Sequence, residues 1–310
     1  MTDHDDKKKF YITTSIAYVN AKPHIGHALE LVQADVLARY HRQLGDDTFF
    51  LTGTDEHGSK VPRAAQVAGK DIVEFVNEIS NTFRKLGSKL EISNSHFIRT
   101  SDERHKKATQ KFWRKAVEAG DIYKGTYDGL YCIGCENYYT ESDLENGLCP
   151  IHKTKSDHIS EENYFFKFSR YQQPILEHLQ KHRDFVVPQS RYNEILQFVL
   201  SGLKDISVSR PKSVLSWGVP VPDDSDQVIY IWFDALINYV SGIGYLEEDE
   251  TFKKYWPADI HLIGKDILRF HAALWPAMLL SAGLELPRQI FVHGFITADG
   301  EKISKSRGNV

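Results

Sequence analysis

The chain has 310 residues, 41% hydrophobic and 26% charged, the profile of an ordinary globular protein with enough length for a large core and more than one domain. Lys and Arg number 38 against 42 Asp and Glu, a formal net charge of −4, so contact with nucleic acid has to come from a local basic patch. No apolar run approaches the roughly 18 residues of a membrane span, so no membrane partner is expected. Residues 1–9 are polar, lack the apolar stretch of a signal peptide, and read as a solvated, disordered tail. Phe10–Thr14 is β-branched and aromatic and predicts a strand. Ile25, Leu29, Val32, Val36, Tyr40 and Leu44 then recur at helical spacing, predicting a helix with that face buried and Gly45 as its stop. At the join stand His24, Gly26 and His27. A helix start attracts phosphate through unpaired N–H groups and its dipole, two imidazoles one turn apart add donors, and Gly26 lets a flat ring approach the backbone. The alternative is that the two histidines only cap the helix.

Thr48–Leu51 predicts a second strand, ending in a glycine-bracketed polar stretch where Asp55 is placed either to hold an ammonium group or to cap the next helix. Helical patterns over 60–90 and 103–119 with a strand at Ser95–Ile98 between them predict a parallel sheet covered on both faces, an α/β fold. The first strand is not followed by G-x-G-x-x-G, so a dinucleotide site is not supported. From Asp121 the pattern changes to short aromatic segments, and the alternation resumes near Val228, which divides the chain into 10–120, an insert over 121–227, and 228–310. All three cysteines fall in that insert, as Cys132-x-x-Cys135 and Cys149-x-x-His152. Two such knuckles supply four soft or imidazole ligands for a tetrahedral Zn²⁺ with no open position, a structural site, with redox chemistry at Cys132 and Cys135 as the lesser alternative. The odd, clustered cysteines argue against a secreted disulfide framework and for the cytoplasm. Val228–Phe233 is an unbroken apolar run suited to a buried strand, after which Trp232, Ala235 and Tyr239 share one face of a turn. Ile260–Ile263 predicts a strand ending in Gly264-Lys265-Asp266, where the carboxylate is placed to accept from ribose hydroxyls. A helix through His271 and a strand over Gln289–His293 follow, and then a glycine-flanked loop with Lys302 and Lys305, suited to clamp a polyphosphate.

His24-Ile25-Gly26-His27 and Lys302-Ile303-Ser304-Lys305-Ser306 together resemble the HIGH and KMSKS signatures of class I aminoacyl-tRNA synthetases, with Ile in place of Met in the second. Within that class the chain is similar, from Phe10 to Val310, to the methionyl-tRNA synthetase family in its bacterial form with a single zinc knuckle. The resemblance implies a Rossmann-like parallel sheet with helices on both faces, interrupted by a zinc-bearing connective insert. It implies a methionine pocket lined by Ile16, Tyr18, Trp232, Ala235, Tyr239 and His271, with Asp55 on the amino group. It also implies ATP contacts at His24, Gly26, His27, Gly264, Asp266 and Ile296, with Lys305 the main pyrophosphate contact and Lys302 beside it. Arg210 corresponds to the arginine that ends the insert near the active site, and Cys132, Cys135, Cys149 and His152 to the zinc ligands. Leu236 stands where some members have proline and Ser15 where some have alanine. The implied activity is formation of methionyl-adenylate from L-methionine and ATP with Mg²⁺, then transfer to the 3′ end of tRNA(Met). Members continue past the lysine loop into linking and anticodon-binding domains. The expectation is therefore a catalytic portion, with a separate chain as one source of the missing domains; the alternative is an impaired fragment or split subunit acting as an RNA-binding zinc module.

Overall fold

The computed structural model describes residues 7–132, 137–139, 141, 144–150, 153–298 and 301–302. The chain opens with strand β1 (Lys9–Thr14), whose Phe10 and Ile12 enter one core while Tyr11 enters another, as alternation in a strand covered on both faces requires. Helix α1 (Ile25–Gln43), strand β2 (Asp47–Asp55), helix α2 (Ile72–Lys89), strand β3 (His96–Arg99) and helix α3 (Glu103–Glu118) follow. A long antiparallel pair, Ile122–Cys132 with Asp157–Phe166, then leaves the main body. Helix α4 (Gln172–Lys181), strand β4 (Val186–Val187), helices α5 (Gln189–Leu200) and α6 (Ile231–Leu236), strand β5 (Ile260–Gly264), helix α7 (Trp275–Ser281) and strand β6 (Gln289–His293) complete the main body. The central sheet is parallel and runs β3-β2-β1-β5-β6-β4, with Ala17–Tyr18 as a short seventh strand beside the end of β2. Ile12 lies between Phe50 and Ile260 and sets the register at its centre. Every strand therefore points its C-terminal end the same way, and in open α/β sheets that edge holds the ligand.

The fold is α/β with helices on both faces, as expected, and two local readings change. The spacing in α1 predicted a buried face of Ile25, Leu29, Val32, Val36, Tyr40 and Leu44; instead Leu31, Ala34, Asp35 and Ala38 are buried, and Val36, Tyr40 and Leu44 are exposed. Two alanines let the helix lie close on Phe10, Ile12 and Phe50, and the buried Asp35 is satisfied by Arg39 at 2.6 Å and the Ser93 N–H at 2.8 Å. The run Val228–Phe233 is not one strand. The strand is Asp224–Ile229, antiparallel in a small sheet of its own, and α6 begins at Ile231, with Asp234 N–H donating to the Tyr230 carbonyl. Periodicity cannot separate a buried strand from a buried helix in a run this short. Within 121–227, β4 pairs with β6 at the edge of the main sheet. Among the described residues no helix is long and apolar enough to cross a membrane.

Candidate active site

The cleft at the C-terminal edge of the sheet begins where β1 gives way to α1. His24 is the N-cap: its Nδ1 accepts from the Gly26 N–H at 3.0 Å, and His27 Nδ1 accepts from the His24 N–H at 3.1 Å. This reciprocal cap satisfies two of the helix's orphan donors. With Nδ1 accepting on both rings, the ring proton of each neutral imidazole sits on Nε2, which becomes a donor. A Cβ at position 26 would stand 2.8 Å from His24 Cε1, so glycine is what lets the ring fold back on the backbone. The first turn of α1 holds no acidic residue, which leaves the helix end positive.

Across the cleft, Phe270–Leu274 forms a π-turn carrying His271, a feature concentrated at functional sites. His271 Nδ1–H donates to the Ile267 carbonyl at 3.0 Å, so Nε2 is the acceptor and the Tyr239 hydroxyl donates to it at 2.7 Å. Burial lowers the His271 pKa to about 4, and the ring is neutral near pH 7. Behind Tyr239, His261 stacks at 4.2 Å, accepts from Trp275 Nε1–H at 3.2 Å and donates to Thr13, and burial holds it neutral too. Trp232 lies flat on Phe270, ring centroids 3.8 Å apart. The Tyr18 hydroxyl accepts from the Lys60 N–H at 3.2 Å.

His24, Gly26, His27, Tyr18, Trp232, Tyr239 and His271 line one cleft of about 370 Å³, together with Ile16, Asp55, Ala235, Gly264, Asp266 and Ile296. Thirteen of the positions singled out in the sequence thus meet in one place: Ile16, Tyr18, His24, Gly26, His27, Asp55, Trp232, Ala235, Tyr239, Gly264, Asp266, His271 and Ile296. Asp55 is not a helix cap, because Ser59 starts the next helix. Lys302 pairs with Thr297 in a hairpin of Thr297–Ala298 and Glu301–Lys302 that follows directly on Ile296; Lys305 lies outside the described residues. Arg210 does not line the cleft. It is buried at the base of the antiparallel pair, its guanidinium 4.4 Å from the Tyr230 ring centroid and donating to Ser207 Oγ and the Ser209 carbonyl. Cys132 and Cys149 are both buried and both meet Thr154: the Cys132 sulfur is 3.9 Å from its hydroxyl, and the Cys149 N–H donates to its carbonyl at 2.9 Å. Cys135 and His152 lie outside the described residues, and among the described ones no group of three or more metal-ligating side chains gathers.

The family model for tRNA synthetases class I (M) matches residues 10–159 and 139–310. The chain belongs to the class I (M) tRNA synthetase family. The methionine–tRNA ligase of Thermotoga maritima is 53% identical over 305 residues, which cover 97% of this chain and 48% of the relative. The chain spans about half the length of the curated relatives it matches. Among solved structures, Mycobacterium tuberculosis methionyl-tRNA synthetase bound by methionyl-adenylate is 46% identical with a TM-score of 0.93, covering 98% of this chain and 60% of that one. The free-state structure of the same synthetase is 43% identical with a TM-score of 0.82, covering 94% of this chain and 57% of that one.

The synthetase cleft also contains groups that the sequence reading missed. Glu30, one turn into α1, accepts from the Ser15 N–H at 2.7 Å and Ser15 Oγ at 2.5 Å, and its other oxygen meets His293 Nε2 at 3.0 Å. Burial opposes a proton on His293, but Glu30 and the Gly294 carbonyl outweigh it and raise its pKa above the ordinary value. This clamp ties β6 to α1 across the cleft. Deeper, the Asp234 carboxylate on α6 meets His57 Nδ1 at 2.7 Å, His105 Nε2 at 3.0 Å and the Thr109 hydroxyl at 3.1 Å, all of them buried. Asp234 sits between Trp232 and Ala235, so this network fixes the wall that those residues present. The partners lie 177 and 263 residues apart in the chain, and no local pattern signals them.

Proposed function

We propose that this chain activates L-methionine with ATP to methionyl-adenylate and, in the whole protein, transfers the methionyl group to the 3′ end of tRNA(Met). The observation that carries the reading is the meeting, in one cleft, of a histidine-capped helix start with an aromatic pocket. The overlay on a synthetase bound by methionyl-adenylate supports it. The methionine carboxylate oxygen attacks the α-phosphorus of ATP, an O–P bond forms, and the bond to pyrophosphate breaks. No protein nucleophile is required, and catalysis consists of positioning and of donors placed where charge accumulates. His24 and His27 offer Nε2–H groups at the positive end of α1. Asp266 is placed for the ribose hydroxyls beside Gly264 and Ile296, and Asp55 for the methionine ammonium. Lys305, with Lys302 beside it, closes on the pyrophosphate. Mg²⁺ held by the phosphates supplies further charge neutralisation.

Ile16, Tyr18, Trp232, Ala235, Tyr239 and His271 surround the thioether, and aromatic faces suit a polarizable sulfur. Since His271 Nε2 is an acceptor already bonded to Tyr239, it offers sulfur no N–H, and the polar contact falls to the Tyr18 hydroxyl. One such contact separates methionine from a plain aliphatic competitor by about 1–3 kcal/mol. Arg210 closes the base of the insert near the cleft. Cys132, Cys135, Cys149 and His152 would hold a structural Zn²⁺; the two described cysteines fit, both being buried, with Thr154 meeting the Cys132 sulfur and the Cys149 N–H. The clustered cysteine usage supports the cytoplasm as the setting. Residues 121–227 serve as a connective insert between the two halves of the nucleotide-binding domain.

The test is pyrophosphate exchange with each of methionine, leucine, isoleucine, valine and cysteine. Exchange dependent on methionine above the others is expected. Equal exchange with several, or none with any, would overturn the assignment, the latter in favour of an RNA-binding zinc module.

A further inference from the structure

A single carboxylate bridges three elements at the cleft. Glu30 Oε1 on α1 accepts from the N–H and the hydroxyl of Ser15, just past the end of β1, while Oε2 faces His293 Nε2 at the end of β6. In the sheet β5 lies between β1 and β6, so the bridge passes over the end of β5, where Gly264 is the register partner of His293 and carries no side chain to block it. The protonation of His293 follows from its partners. Nδ1 meets the Gly294 carbonyl at 2.8 Å and Nε2 meets the carboxylate at 3.0 Å; both oxygens only accept, so both ring nitrogens donate and the ring is an imidazolium. The two side chains are 9% and 13% exposed, which shields the ion pair from solvent. The positive ring also cancels a carboxylate that would otherwise oppose phosphate in the cleft that both groups line.

We propose that Glu30 and His293 are positioning residues for adenylation, their ion pair holding the root of the lysine loop against α1. Two observations carry this. His293 ends β6, the next three residues line the cleft, and the hairpin with Lys302 follows at once. The other end of the bridge stands on the helix whose first turn holds His24 and His27, so one ion pair sets the distance between the histidine cap and the loop root. Among the described side chains, the charged and titratable groups facing His293 are Glu30, His24 and His27 on α1, with Asp266 and Lys265 just after β5, Lys265 lying 4.3 Å from the Phe295 ring centroid. Burial opposes the proton on His293, and Glu30, the Gly294 carbonyl and Asp266 outweigh it. The proposal deepens the adenylation reading above and rests on it.

The test combines nitrogen NMR titration of His293 with methionine-dependent pyrophosphate exchange, on this chain and on its Glu30→Gln and His293→Gln variants, the last of which also assigns the His293 signal. Exchange by the parent tests the adenylation reading, and the titration needs no turnover, so failure of the pair is separable from failure of that reading. His293 is expected to titrate above 6.5 in the parent and at least about 1 pH lower in Glu30→Gln, where the paired charge is gone. Exchange kcat is expected to fall at least about tenfold at pH 7 in both variants, with methionine affinity by calorimetry within about twofold of the parent. In the parent, kcat should decline as pH rises through the His293 titration, and His293→Gln should lack that limb, which a general loss of stability would not remove. A parent titration below 6.5, equal losses in kcat and methionine affinity, or superimposable pH profiles would each overturn the proposal.

Discussion

Replacing Asp234 with asparagine isolates the buried network behind the methionine wall. The carboxylate accepts from three buried groups: His57 at 2.7 Å, His105 at 3.0 Å and Thr109 at 3.1 Å. Asparagine keeps one acceptor oxygen for His105 and Thr109 but turns an NH₂ toward His57 Nδ1–H, leaving a buried donor unpaired. That costs about 1–3 kcal/mol, and loss of charge assistance in the remaining bonds about 1 kcal/mol more. A total of about 3 kcal/mol lowers the thermal midpoint of a chain this long by about 5 °C. Burial alone would raise the Asp234 pKa, but the two imidazoles outweigh it and hold the group well below the usual carboxylate range. Its contribution is therefore complete above the unfolded-state value near pH 4 and is lost only in strong acid, so the Asp234→Asn deficit should be equal at pH 6 and pH 8. Since α6 carries Trp232 and Ala235, a shift of this helix weakens methionine in ground and transition states alike. KM for methionine in pyrophosphate exchange should rise about tenfold with kcat nearly unchanged. A variant within about 0.5 kcal/mol of the parent in urea unfolding, or one that loses kcat at constant KM, would refute the reasoning.

Gly26→Ala drives the His24 ring off the helix end, because the new Cβ would stand 2.8 Å from Cε1. Exchange kcat should fall by at least about tenfold, methionine affinity measured by calorimetry should hold, and unchanged kcat would count against the histidine's role. Lys305→Ala should lower the adenylation rate by about a hundredfold or more with little change in methionine affinity; an equal loss in both is the contrary result. His271 titrates at about 4 in the fold because it is buried, against about 6.5 unfolded, so the unfolded state takes up the proton first as pH falls. Stability should therefore drop between pH 6.5 and 4, by about 2 kcal/mol at pH 5 from this group alone. A urea midpoint constant from pH 7.5 to 5 would contradict that sign. Chelation of Zn²⁺ should loosen the sheet around Cys132 and Cys149, seen as faster amide exchange there with β1 to β3 unaffected, and uniform exchange would point away from a local structural site.

Where the chemistry depended on neighbours in the chain, the letters were enough. His24, Gly26 and His27 form their cap within one turn of backbone, and the parallel sheet covered on both faces follows from alternating strands and helices. The apolar period in α1 misled because side-chain size, and not only hydropathy, decides which face lies on the sheet: Ala34 and Ala38 pack closely where Val36 and Tyr40 do not fit. Val228–Phe233 was ambiguous for a different reason, since the Asp234-to-Tyr230 hydrogen bond that starts α6 follows from tertiary anchoring by His57 and His105. Glu30 and Asp234 carry no local pattern that marks them in the sequence. Their partners are brought in by the fold, so their importance becomes visible only in three dimensions.

The helix-start histidines also bear on an alternative that the sequence left open. Capping and phosphate contact looked like rival roles, yet the cap is compatible with the proposed contact: with both Nδ1 atoms accepting backbone N–H groups, each neutral ring has to carry its proton on Nε2. The helix end thereby gains two directed donors without any net charge. In the proposed reaction, two such donors would hold ATP in the ground state and strengthen as negative charge builds at the α-phosphorus, whereas the proposed role of Lys302 and Lys305 is with pyrophosphate. On this division, loss of the cradle should weaken ATP binding and turnover together, while loss of the loop lysines should fall mainly on turnover.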